Sequence, residues 1–237
     1  MLFDGQLDTA MVNMLEQKFD KSRFSRVDGD VIDRIIQKDN EVKNELNAAD
    51  TASLSGVFTA ELPTMDKVQF HVETASMGEK SMPIIITQSE YMRRMKDASR
   101  YQQGMSFYGE MPDMYNLVLN SDHHLVKEVL SDMKATTGSK IEPIENELKS
   151  LHEQHTSLET SQKDKKADEL TDDDKNAMKQ CNDAIAAQEE ARKKVWSEYA
   201  KQNPVVAQLI DLALLQNGLL RGEALSKFIN RSVDLIK

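Results

Sequence analysis

The side chains able to do chemistry are few, and their spacing does not assemble them. His152 and His155 stand three apart in a helical stretch and could share a metal ion. Spacing offers them no third ligand, and His155 also falls on an apolar seam. His123-His124 lies in the first turn of a helix, where adjacent side chains diverge, so no shared metal is expected there. Asp172-Asp173-Asp174 lacks the alternating ligands and the glycine of a calcium loop; three carboxylates at the positive end of a helix explain it. Gly104 and Gly109 have neither the glycine spacing nor the lysine of a phosphate-binding loop. Cys181, the single cysteine, sits on a presumed seam, where a packed thiol is inert. No catalytic residue, metal ligand or cofactor is expected in this chain, and no enzyme activity is expected of it.

Composition narrows the partners. A formal net charge of −10 over 237 residues argues against nucleic acid and acidic lipid, because phosphate contacts need a basic face. A lone cysteine rules out an intramolecular disulfide framework and suits a reducing cytosol, so a cytoplasmic location is expected. No apolar run approaches membrane-spanning length, and the first residues carry no signal-peptide core. Thirteen methionines are unusual; most fill cores, but methionine-rich surfaces also adapt to many partners.

The elements that remain are suited to joining and holding. From Asn203 to Lys237 the chain reads as two amphipathic helices around a tight turn. Asn203-Pro204 starts the first helix, and Val205, Val206, Leu209, Ile210, Leu212 and Ala213 recur at three- and four-residue spacing. Asn217-Gly218 is a left-handed helix stop. Leu225, Phe228, Ile229, Val233 and Ile236 then share one face. Two helices this short cannot cover that much aliphatic surface between them. Either the rest of the chain or a second copy covers it, and a self-complementary terminal hairpin favours the copy. The expected dimer interface is Val205, Leu209, Leu212, Ala213, Leu225, Phe228, Ile229 and Val233.

The expected fold class is α+β. Residues 1–36 read as strand, helix and strand: Met1–Phe3, Leu7–Phe19 and Phe24–Val27, then a short amphipathic turn from Val31 to Ile36. Such a unit is too small to stand alone, and reads as the tail of a larger α/β domain. Residues 37–52 are polar and end in Asn47-Ala48-Ala49-Asp50, a linker composition. A second unit spans 53–134 and 203–237. It comprises a helix Leu54–Leu62, strands Val68–Val72, Met82–Ile86 and Tyr115–Leu119, and a helix Asp122–Met133 capped by Asn120 or Ser121. Thr87–Glu90 fits a capping box opening a helix to Tyr101. Residues 139–202 read as an inserted antiparallel helical hairpin, with Ser139 and Glu142 as caps. Ile141, Ile144, Leu148, Leu151, His155 and Leu158 face Met178, Cys181, Ile185, Val195 and Tyr199 along a coiled-coil seam diluted by Gln188 and Arg192. Each arm would extend ~35–45 Å.

Several short runs, in order, resemble the HtpG family of heat-shock protein 90 type chaperones. Phe3-Asp4-Gly5-Gln6-Leu7-Asp8 through Glu16–Phe19 is similar to the end of its middle domain. Ser89–Met95 is similar to a helix of its C-terminal domain. Gly104–Glu110 and Tyr115–Asn120 resemble the loop and strand that follow, and Asn203–Leu215 with Phe228–Arg231 the two dimerisation helices. The resemblance covers residues 1–134 and 203–237; the 139–202 hairpin is additional to it. It implies a homodimer, non-native protein clients, and ATP with magnesium bound by parts of the full-length protein that have no positions in this chain. It also implies that the helix from Ser89 is an exposed client-contacting element. Tyr91, Met92 and Met95, with Phe107 and Tyr108 of the next loop, are the expected client-binding residues; the competing expectation is that this stripe packs on the small sheet. A second functional class stays open, a non-enzymatic coiled-coil adaptor whose 139–202 hairpin binds a partner protein.

Overall fold

A computed structural model describes residues 8–19, 21, 24, 46–88, 93–94, 111–162 and 171–236. Among them are six helices and one three-stranded mixed sheet, and the fold is α+β. The helices are α1 (Asp8–Lys18), α2 (Ala48–Glu61), α3 (His124–Gln162), α4 (Asp172–Gln202), α5 (Pro204–Gln216) and α6 (Gly222–Ile236); the strands are β1 (Val68–Ala75), β2 (Ile84–Gln88) and β3 (Asp113–Asn120). They form two compact units. The first comprises Met1–Thr51, Leu62–Lys127 and Gln208–Lys237, and the second Ala52–Glu61 and Glu128–Ala207.

In the first unit β3 is central, paired parallel to β1 and antiparallel to β2. Leu117, Val118 and Leu119 are fully buried, so β3 carries a continuous apolar run where an edge strand would alternate. Beyond the sheet, Asn120 and Asp122 strap the chain between β1 and β2. The Asn120 carboxamide accepts the Met77 N–H (3.2 Å) and donates to the Gly78 and Met82 carbonyls (2.9 and 3.2 Å). The Asp122 carboxylate accepts the Ser76 hydroxyl (2.6 Å) and the Gly78 N–H (2.7 Å). Burial works against that carboxylate's charge, but these donors and Lys127 outweigh it and hold its pKa below the usual carboxylate value.

The second unit is helical. Leu54, Val57 and Phe58, at three- and four-residue spacing on α2, are fully buried. Trp196 of α4 lies directly on Gly56, where a Cβ would come 2.1 Å from the indole Cε3. Helices α3 and α4 meet along the expected seam: Leu148, Leu151, Cys181 and Tyr199 are buried, and the Cys181 thiol donates to the Leu151 carbonyl at 3.4 Å. Arg192, the polar interruption, stays on that seam. Its guanidinium stacks 4.9 Å from the Trp196 ring and pairs with Glu145 at 2.9 Å. Thr171 and Asp174 form a reciprocal capping box, and Asp172, Asp173 and Asp174 occupy the first turn of α4.

Four expected boundaries are corrected. Asn47–Asp50 is not the end of a linker but the start of α2, with the Asn47 side chain accepting the Asp50 N–H at 2.8 Å. Thr87 is no helix cap. It is buried in β2 and pairs with Asn116, because the ladder continues to Gln88↔Tyr115 and outcompetes the capping geometry. The helix expected from Asp122 starts at His124. Asn120 serves the strap and His123 takes the cap position, its Nδ1 accepting the Leu125 N–H at 3.2 Å. Ser139 and Glu142 do not begin a new helix: α3 runs unbroken through 39 residues, with Gly138 and Pro143 inside it. Gly138 costs about 1 kcal/mol and an interior proline about 3 kcal/mol relative to alanine. Buried Met133 and Thr137 before them, and Leu148 and Leu151 after them, supply the packing that offsets this.

The expected strands Met1–Phe3 and the amphipathic turn Val31–Ile36 lie outside the described residues. Of Phe24–Val27 only Phe24 is described, and it is not in a strand. The helix expected over Ser89–Tyr101 is described at Arg93 and Arg94, both helical.

Candidate interaction surfaces

The terminal hairpin is built from local rules. Asn203 caps α5: its side-chain carbonyl accepts the Val205 N–H at 3.0 Å, and Pro204 takes the first helical position, where no amide is missed. The helix closes with Gly218 at φ +67°. The Leu219 N–H reaches the Leu214 carbonyl (2.9 Å) and the Gly218 N–H the Leu215 carbonyl (3.0 Å), the paired bonds of a left-handed helix stop.

Between α5 and α6 runs a polar lattice. Arg231 donates to Gln208 at 2.9 Å and forms a close ion pair with Asp211, while the Gln208 amide donates to Ser232 at 2.7 Å. Ser232 in turn donates to the Phe228 carbonyl at 2.9 Å. These bonds fix the register of the two helices, so the apolar side chains are presented in a set arrangement.

The expected interface residues separate into two groups. Leu209, Ala213 and Phe228 are already buried within the single chain. Val205 and Leu225 are half-buried. Leu212, Ile229 and Val233 remain open at 46 %, 51 % and 51 % exposure, and Leu215, not among the expected interface residues, is open at 40 %. Leu215 lies three residues beyond Leu212 and could have been found from that spacing. The expected client-binding residues Tyr91, Met92, Met95, Phe107 and Tyr108 lie outside the described residues.

The His123 and His124 rings do not diverge but stack, centroids 4.5 Å apart, because His123 precedes the helix as its cap. Burial, then the neighbouring His124, lower the His123 pKa and keep its Nδ1 available as an acceptor. His155 lies 3.8 Å from Glu159 one helical turn on, and His152 is exposed. Among the described residues no group of three or more metal-ligating side chains comes together. Among them, too, no helix is long and apolar enough to cross a membrane.

Tyr199 carries a polar cluster that the heptad pattern hid. Its hydroxyl lies 2.8 Å from Asp132 and 3.1 Å from the Val129 carbonyl, and accepts from Asn203 at 2.8 Å. Burial, then the Asp132 carboxylate, push the phenol's pKa well above its ordinary value. A cleft of about 360 Å³ opens beside it, lined by Asp132, Thr136, Tyr199, Gln202, Asn203 and Pro204.

No family model matches the sequence, and no solved structure is a significant match. Curated relatives do match. The chain is 48 % identical over 236 residues to the chaperone protein HtpG of Bacteroides thetaiotaomicron and 49 % identical over 236 residues to that of Bacteroides fragilis. It is 42 % identical over 238 residues to the HtpG of Porphyromonas gingivalis. Each alignment takes in 100 % of this chain but only 34–35 % of the relative, so the chain spans about a third of the length of the curated relatives it matches. Residues 139–202, additional to the resemblance read from short runs, fall inside these full-length matches. The chain belongs to the HtpG family, the heat-shock protein 90 type chaperones.

Proposed function

We propose that this chain is the C-terminal dimerisation region of an HtpG-type chaperone, acting in the cytoplasm and contributing part of the surface that holds non-native proteins. The observation that carries this reading is the 42–49 % identity to HtpG chaperones along the whole chain. The exposed side chains of Leu212 and Leu215 on α5 and of Ile229 and Val233 on α6 support the dimer, since large aliphatic side chains left open on two consecutive helices mark an interaction site. Its occupant is the same surface from a second copy, which a two-fold axis makes self-complementary. ATP and magnesium belong, on this reading, to other parts of the full-length protein, and the chain does no chemistry itself. Client contact falls to Tyr91, Met92, Met95, Phe107 and Tyr108, whose mix of thioethers and aromatic rings adapts to irregular apolar partners.

Light scattering on the whole chain and on a version ending at Gln202 tests the clasp. A dimer that becomes a folded monomer on truncation supports it, and a dimer that survives overturns it. For the client surface, replacing Met92 and Met95 with serine should weaken suppression of aggregation; unchanged suppression overturns that assignment. The competing reading, an adaptor that works through residues 139–202, predicts that removing them abolishes partner binding, whereas a chaperone clasp keeps its dimer.

A further inference from the structure

We propose that Arg94 is a polar latch that decides whether the segment from Asp8 to Phe24 moves with the sheet-bearing unit or apart from it. Three observations point to this role. One guanidinium spans 70 to 81 positions of sequence: it donates to Asn13 (3.1 Å), to both oxygens of Glu16 (2.9 and 3.4 Å) and to the Phe24 carbonyl (2.6 Å). Its partner is shared, because the Glu16 carboxylate also accepts the Phe24 N–H at 2.7 Å. Finally, apolar burial does little here. Met11, Met14, Phe19 and Phe24 are exposed, Leu15 is half-buried, and Val12 alone among the described apolar side chains of this segment is buried.

Weighing these effects assigns the control. A helix with one buried apolar side chain gains little from the hydrophobic effect, so its attachment depends on the polar contacts. The central ion pair is partly withdrawn from water, with side-chain exposures of 19 % at Arg94 and 23 % at Glu16, while the bonds to Asn13 and to the Phe24 peptide are exposed. Solvent screens such a pair less than a surface pair, and losing one member strands the other. The cluster also converges on one peptide. Glu16 orients the peptide at Phe24 through its N–H, and Arg94 grips the same residue through its carbonyl. Removing either side chain therefore loosens both contacts, and the segment is released in one step. Arginine suits the task because its planar fork satisfies the carboxylate in two places while a further N–H remains for the carbonyl. This coupling does not depend on the chaperone reading.

Amide hydrogen exchange on the whole chain tests it, comparing wild type with Arg94→Ala, Glu16→Ala and the double variant. The α1 amides and the Phe24 amide should exchange about tenfold faster in each single variant, with the double variant no faster than the singles, because one cooperative contact is lost in all three. The β3 amides should keep their wild-type protection. Should Arg94→Ala fail to fold, Arg94→Lys replaces it, since lysine keeps the charge and the stem but not the fork. Unchanged exchange in α1, effects that multiply in the double variant, or equal acceleration of β3 would each overturn the latch.

Discussion

On the proposed dimer, replacing Ile229 and Val233 together with alanine separates what the hairpin does for itself from what it does for a second copy. Ile→Ala removes three carbons and Val→Ala two, each worth about 0.8 kcal/mol when fully buried. Both side chains are 51 % exposed in the single chain, so a partner can bury only the open half. That half amounts to about 1.2 kcal/mol for Ile229 and about 0.8 kcal/mol for Val233. A two-fold axis counts each residue twice, giving about 4 kcal/mol, or about a thousandfold in the dimer dissociation constant. The inner halves are lost to the monomer as well, at about 2 kcal/mol, while the buried Leu209, Ala213 and Phe228 are left untouched. Sedimentation equilibrium over a wide concentration range measures the association, and far-ultraviolet circular dichroism confirms that helix content is retained. A dissociation constant within about threefold of wild type, with helicity intact, would show that these open side chains are not the interface.

Three further outcomes follow from other sites. Gly56→Ala drives a methyl group into the Trp196 ring and should lower stability by about 1–3 kcal/mol in urea titrations, whereas Gly138→Ala, with open space around it, should be neutral or stabilising. Tyr199, buried and beside Asp132, keeps its proton in the folded state after the unfolded chain has lost its own near the ordinary value of 10.0. Stability should therefore fall as pH rises above about 10, and Tyr199→Phe should flatten that alkaline limb while costing about 1 kcal/mol at neutral pH. His123 has the opposite sense: its lowered pKa means that the unfolded state takes up a proton first as pH falls below 6.5, so stability declines there, and His123→Asn should reduce the decline.

The terminal hairpin was legible from sequence because its rules are local. Pro204, Gly218 and a three-four spacing act within a few residues, and the start and stop of α5 follow from them. The seam between α3 and α4 was legible for the same reason, including its polar break at Arg192. Boundaries set by pairing across the chain were not. Thr87 has a capping pattern, yet its fate depends on Asn116, a partner 29 positions away that no local rule can see. Pro143 and Gly138 carry the signs of a helix boundary, but packing on both sides outweighs two unfavourable propensities. The interface was only half readable. Spacing places Leu209 and Leu212 on a common helix but cannot say that the first is closed within the chain and the second left open. Tyr199 was recognised as a seam residue, while its hydroxyl network depends on Asp132, which belongs to no motif.

The position of Trp196 has an optical consequence. It is the chain's one tryptophan, buried against Gly56 with the Arg192 guanidinium over its ring. Intrinsic fluorescence excited at the red edge of protein absorbance therefore reports from a single place, the helical unit, and is blind to the sheet. Circular dichroism sums over every helix in the chain. Denaturation curves recorded by the two signals on one sample thus become a built-in measure of cooperativity: superimposed midpoints mean that both units melt together, and separated midpoints give each unit its own stability without a single mutation.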